Sequence, residues 1–160
     1  MTTAAYVRVS TNGQADAFGP EIQLDAIKRW IYDDRATLDA VYCDEGISGT
    51  TLDRPGLGEA MTELGEGDRL VFARLDRLAR DLITQELLLR EFRRKGVTLV
   101  TCAAAEQEYL REDPSDPSRR LIRQVLGAVA EYEREMVKLR LSLGRKAKRA
   151  KGTSAVASRG

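Results

Sequence analysis

Apolar and polar positions alternate along this chain in blocks that change period. The run Thr3–Val9 (TAAYVRV) is short, apolar and bounded by polar residues, which predicts a first strand. Residues 10–19 (STNGQADAFG) are rich in Ser, Asn and Gly and predict a loop. Pro20 suits the first turn of a helix, and Ile22, Ile27, Trp30 and Ile31 give that helix an apolar stripe as far as Asp34. The pattern then predicts a strand at 38–43, a polar Gly-bearing loop at 44–54 and a short helix at 55–64. A strand comes next at 70–73, then a helix at 81–95 with Leu82, Leu87, Leu88 and Phe92 apolar, Gly96 as its stop, and a strand at 97–101. Strands alternating with helices predict an α/β fold, a mostly parallel sheet flanked by helices.

Residues 103–117 break the alternation with the punctuation DPSDP, and Ser118 reads as the N-cap of a further helix. Beyond it Ile122, Val125, Val129, Tyr132, Met136, Leu139 and Leu143 recur at alternating steps of three and four, one seam of a long C-terminal helix. From 118 to 151 such a helix is about 50 Å long. A domain of this size is narrower than that, so part of the seam is expected to pair with another molecule.

The 160 residues suit one compact core, divided here into an α/β body at 1–117, the long helix at 118–151 and a tail of linker composition at 152–160. The net charge of +1 hides an asymmetry. Residues 136–160 hold eight Lys or Arg and no acid, leaving 18 basic against 25 acidic residues before them. That is an acidic body with a basic arm suited to a polyanion. No apolar run is long enough to span a bilayer, and no secretory signal opens the chain. Cys43 and Cys102 lie in strand-like runs and are expected to be buried thiols. With no histidine and two isolated cysteines, the usual zinc ligand sets and every His-assisted nucleophile are missing.

Three segments carry candidate chemistry. In YVRVST, Ser10 comes just after the first strand, where α/β sheets bind ligands, and Arg8 shares its strand face. A guanidinium there suits the non-bridging oxygens of a phosphate under attack by the serine. In RLDRLARD, Arg77 and Arg80 are three apart, so one helical turn would point both to one side, with Leu75, Leu78 and Leu82 on the buried side. The third segment is the loop DEGISGT, with Arg54-Pro55-Gly56-Leu57 after it.

Together, YVRVST with Gln14, Gln23, DEGISG with RPGL, LDRLARDL and AEYERE resemble the serine recombinase family of resolvases, DNA invertases and large serine integrases. The pieces appear in the family's order from residue 4 to about 140. The resemblance implies a resolvase-like catalytic domain that cuts and rejoins DNA through a 5′-phosphoserine intermediate, with no cofactor and no metal. Ser10 matches the nucleophile. Arg8, Arg77 and Arg80 match the arginines around the scissile phosphate, Asp76 matches a carboxylate there, and Gln23 belongs to the same site. Tyr6, Ser48, Arg54 and Arg134 match supporting residues. An Arg-lowered serine pKa and Asp76 are two open routes to deprotonating Ser10. The long helix matches a dimerisation helix whose far end meets DNA, through Arg140, Arg145, Lys146, Lys148 and Arg149. The implied partners are double-stranded DNA and further copies of the chain, a homodimer and a tetramer in the DNA synapse, with no membrane and a cytoplasmic location. Two departures stand out. Leu139 occupies a place where many relatives have Glu, and the chain ends at Gly160 where the family continues into a DNA-binding region, which points to a catalytic fragment. The alternative is a non-catalytic, dimerising DNA-binding regulator on the same fold.

Overall fold

A computed structural model of the chain describes residues 1–9, 18–46, 54–111 and 115–157, with side chains as far as Gly152. The chain divides into two units, Met1–Asp116 and Pro117–Gly160. In the first, β1 (Thr3–Val9), β2 (Ala40–Glu45), β3 (Arg69–Phe72) and β4 (Thr98–Thr101) alternate with α1 (Pro20–Asp33), α2 (Pro55–Glu63), α3 (Leu75–Leu78) and α4 (Leu82–Arg94), and α5 (Ala104–Leu110) comes last. The second is a single helix, α6 (Pro117–Ala157).

The four strands form one sheet in the order β2-β1-β3-β4, every pair parallel. Alternation splits the core in two. Ala4, Tyr6, Leu70, Phe72 and Leu99 face one side, where they meet Leu57 and Ala60 of α2 and Leu88, Leu89 and Phe92 of α4. Ala5, Val7, Val71 and Val100 face the other and meet Ile27 and Ile31 of α1. Covering on both faces is why the central strands read as continuous apolar runs. β2 lies at the edge, and only its Tyr42 and Asp44 are buried while Val41, Cys43 and Glu45 are exposed. Cys43 is therefore an exposed thiol and Cys102 a half-buried one, against the expectation that both are buried.

The helix at 81–95 is observed as Leu82–Arg94. The Asp81 carboxylate accepts the Thr84 amide at 2.8 Å, and this bond holds the Asp81 carboxyl below the usual carboxylate range. Gly96, at φ +74°, supplies the left-handed residue that ends it. Four boundaries move. The second strand lies at Ala40–Glu45 because Asp44 turns inward instead of opening a loop. Residues 104–110, expected to be irregular, form α5 from the strong helix formers AAEQEYL. The long helix starts at Pro117, so Ser118 sits inside its first turn. It also runs through Ala157 across the segment read as linker, since Gly152 weakens a helix by only about 1 kcal/mol and no proline stops it. Two stripe positions also differ. Ile22 and Leu82 are exposed, while Gln23 and Glu86 take buried places.

Candidate active site

The chain runs from β1 to β2 on one side and returns to β3 on the other, so strand order reverses between β1 and β3. The crevice beyond the carboxyl ends of two such strands is the usual ligand site of an open parallel sheet. Arg8 lies at the end of β1, Ser10 comes two residues later in the chain, and the α3 turn comes after β3. Ser10, Gln14 and Ser48 lie outside the described residues.

Arg8 is completely buried. Its guanidinium crosses to the α3 turn, where Nη2 donates to the Asp76 carbonyl at 2.8 Å and Nε to the Arg77 carbonyl at 3.1 Å. Burial, then the neighbouring cations Arg54, Arg77 and Arg80, lower the Arg8 guanidinium from its ordinary value. Arg8 thus stands among three other guanidinium groups, with two of its donors spent on tying the end of β1 to the α3 turn.

Beneath it lies a buried polar network. Tyr6 donates from its hydroxyl to Asp44 Oδ2 at 2.9 Å. Asp44, only 2% exposed, also accepts the Gly56 and Leu57 amides at 2.7 and 3.0 Å, so a carboxylate from β2 caps the first turn of α2. Position 56 has to be glycine, since a Cβ there would stand 2.5 Å from the Cys43 carbonyl oxygen. Arg54, equally buried, donates to the Tyr6 hydroxyl at 3.4 Å and to the Leu78 carbonyl. Burial pushes the Tyr6 phenol above the usual tyrosine range, with Arg54 pulling the other way, so the hydroxyl stays a neutral donor.

Gln23 is buried on α1 and fully engaged with backbone. Its Oε1 accepts the Arg8 amide at 3.3 Å, while Nε2 donates to the Arg8 and Phe18 carbonyls at 3.0 and 2.8 Å. These contacts hold the end of β1 and the start of α1 in place, immediately before and after the stretch of sequence that carries Ser10.

The α3 turn carries the rest. It ends at Leu78 because Ala79 is extended, at φ −157° and ψ 150°. The expectation that Arg77 and Arg80 share a helical side therefore fails: Arg77 is buried and Arg80 exposed. Both remain close enough to act electrostatically on Arg8. Asp76 stands 3.6 Å from Arg77 Nε and 3.7 Å from Arg74 Nε. Phe18 receives two of these cations on its ring, Arg74 at 5.7 Å and Arg77 at 5.9 Å. Of the expected site residues, the structure brings Tyr6, Arg8, Gln23, Arg54, Asp76, Arg77 and Arg80 to one sheet edge.

Arg134, Arg140, Arg145, Lys146, Lys148 and Arg149 are exposed on α6. Arg134 Nε donates to the Ala130 carbonyl at 3.3 Å within that helix. Along the seam, Val125, Val129, Tyr132, Leu139 and Leu143 are each about half exposed or more, and Ile122 and Met136 are partly buried. No helix among the described residues is long and apolar enough to cross a membrane.

Sequence reading missed Asp44, Glu106 and Phe18. Asp44 was visible only as the first residue of DEGISG. Nothing local marked Glu106, whose partner Leu75 is 31 positions away.

The model of the family described as Resolvase, N terminal domain, matches residues 3–154. The serine recombinase gin of Escherichia phage Mu is 36% identical over 147 residues, which are 92% of this chain and 67% of that protein. The DNA-invertase of Escherichia phage P1 is 35% identical over the same length, covering 70% of its chain. The chain thus spans about two thirds of these relatives. The solved N-terminal catalytic domain of TP901-1 integrase shares the fold, with a TM-score of 0.59 and 24% identity across 85% of this chain and 98% of that one. A resolvase family site-specific recombinase from Streptococcus pneumoniae does so at a TM-score of 0.54 and 24% identity, covering 92% and 97%. This chain belongs to the resolvase and invertase family of serine recombinases.

Proposed function

We propose that the chain is the catalytic domain of a site-specific DNA recombinase, with Ser10 as the nucleophile. The observation that carries this reading is the crowding of Arg54, Arg77 and Arg80 around Arg8 at the carboxyl edge of β1, directly before Ser10. Guanidinium groups gathered against their mutual repulsion suit a polyanionic ligand, and the charge that develops on a phosphorane is greater still. Ser10 Oγ bonds to phosphorus as the bond to the 3′ oxygen breaks. The serine proton balances the one gained by the departing 3′ hydroxyl. One phosphoester replaces another, so resealing by the reverse attack needs no nucleotide. Arg77 and Arg80 face the phosphate, while Arg8, Arg54 and Gln23 hold the backbone that presents Ser10 and the α3 turn. The arginines supply the positive charge, so the reaction needs no divalent ion.

The direct test is to incubate the protein with duplex DNA from the flanks of its own coding sequence and excess EDTA, then look for covalent protein–DNA adducts. Adducts to a 5′ phosphate are expected. Complete inhibition by EDTA, reversed by magnesium, would overturn the metal-free reading.

The same reading gives α6 two jobs: the seam pairs with a second copy, as a step towards a tetramer joining two DNA sites, and the basic end meets DNA phosphates. Val129→Asp should weaken self-association at least about tenfold, because burying a valine is worth roughly 1.5–3 kcal/mol and about 1.4 is a factor of ten. Changing Arg145, Lys146, Lys148 and Arg149 to Ala should spare association. It should flatten the log–log salt dependence of DNA binding by up to about 0.9 for each phosphate no longer neutralised. Sedimentation and a salt titration check both, and an unchanged association constant or salt slope counts against the corresponding job.

A further inference from the structure

The α3 turn, which carries Asp76 and Arg77, is four residues long. A single turn does not stand alone, because nucleating a helix costs more than its first hydrogen bonds return. Within this segment the Arg77 and Ala79 amides bond back to the Arg74 and Leu75 carbonyls, at 3.0 and 2.9 Å. The rest of the grip comes from side chains outside it. Four consecutive carbonyls each accept one: Asp76 and Arg77 from Arg8, Leu78 from Arg54, and Ala79 from Gln85 Nε2 at 2.8 Å.

At the other end of the turn the polarity reverses. The Leu75 amide, one of the donors that a helix start leaves without an internal partner, gives its hydrogen to Glu106 Oε2 at 2.8 Å. The same oxygen accepts the Thr101 hydroxyl at 3.2 Å, and Thr101 Oγ1 in turn accepts the Ala103 amide at 3.3 Å. Gln107 Oε1 accepts the Thr101 amide at 3.1 Å. Glu106 thereby connects the end of β4 to the residue just before Asp76, two before Arg77. Arginines on one side pull the carbonyls and a carboxylate on the other fixes the amide, so the rotation of the turn is set from both ends. A group aimed at a phosphate must be held to a fraction of an ångström, since a misplacement of about 1 Å can cost about 100-fold in rate.

We infer that Glu106 is a positioning residue for DNA cleavage: through the Leu75 amide it fixes the turn that aims Arg77 at the phosphate. The inference rests on the recombinase reading above. It asks nothing of Glu106 at the phosphate itself, only an acceptor oxygen facing Leu75, so glutamine should serve where alanine fails.

The experiment compares Glu106→Ala, Glu106→Gln and, as a control, Leu110→Ala, which removes a buried apolar side chain from the same helix. Cleavage is read as the rate of covalent adduct formation on the flanking duplex at saturating DNA, per folded molecule, beside DNA affinity and the hydrogen exchange of the Leu75 amide. Glu106→Ala should slow cleavage at least about tenfold with affinity within about threefold, and should speed Leu75 exchange about tenfold or more. Glu106→Gln should stay within about threefold of wild type in all three readings, and Leu110→Ala should melt earlier yet cleave at the wild-type rate per folded molecule. Wild-type cleavage by Glu106→Ala, equal slowing by Glu106→Gln, or equal slowing by Leu110→Ala would each overturn the assignment. A wild-type protein that forms no adduct overturns the recombinase reading instead, and Leu75 exchange then still decides whether Glu106 grips the turn.

Discussion

Asp44→Ala should remove about 3–5 kcal/mol of stability, a large share of the roughly 5–15 kcal/mol that holds a domain of this size. The carboxylate is 2% exposed and accepts three donors, the amides of Gly56 and Leu57 and the Tyr6 hydroxyl. Alanine leaves all three without that acceptor in a place water does not easily enter, and each hydrogen bond to a charged group is worth about 1.5–3 kcal/mol. The loss is not confined to α2. Arg54 donates to the same Tyr6 hydroxyl and to the Leu78 carbonyl, so loosening Tyr6 frees one support of the α3 turn. Asp44→Asn should recover less than half of the loss, since its one carbonyl oxygen can serve only part of the set while its NH2 faces donors. At about 2–4 °C per kcal/mol for a chain of this length, the alanine variant should melt about 6–20 °C lower. A melting point within about 3 °C of wild type would show that the cap contributes little.

The sequence pattern shows its strength and its blind spot in neighbouring elements. β1 and α4 were legible at nearly their observed bounds because burial on a regular period writes itself into residue type. β2 was displaced by two residues because an aspartate reads as the start of a loop, and only the tertiary structure gives Asp44 its three donors. α5 went unseen for a similar reason. Among its residues only Leu110 is buried, so there is no stripe for a period to reveal. The site divides along the same line. Motif resemblance identified Tyr6, Arg8, Gln23, Arg54, Asp76, Arg77 and Arg80, and all of them gather at one sheet edge. It did not say what they touch. Arg8 was expected to hold phosphate oxygens, yet two of its donors go to carbonyls 68 and 69 positions away. The pairing of Arg77 with Arg80 failed because helical spacing was assumed across Ala79, where the backbone is extended. Glu106 is a further case, a polar residue whose partners, the Thr101 hydroxyl and the distant Leu75 amide, leave no mark on the local pattern.

Ser10→Ala should abolish covalent attachment to DNA while leaving the fold and DNA binding in place. The change deletes one hydroxyl in a segment whose composition predicts a loop, and a substitution of that kind moves stability by less than about 0.5 kcal/mol. Its effect on chemistry is of another order. Arginines, strands and helix remain, so the phosphate is still bound and polarised, but no oxygen is left to form the bond that the arginines would stabilise. In other enzymes that use a covalent serine, removing the nucleophile costs about a millionfold in turnover, which here leaves no adduct on any practical timescale. The contrast with the positioning residues is the informative part. Gln23→Ala should reduce adduct formation without eliminating it, because the backbone of Arg8 would lose two bonds while Ser10 stays in the chain. Denaturing gels of wild type, Ser10→Ala and Gln23→Ala with one DNA, beside matched binding and melting curves, separate the two roles. Adducts from Ser10→Ala at the wild-type level would move the nucleophile elsewhere, and the arginine cluster around Arg8 would then have to be explained by another attacking group at the same edge.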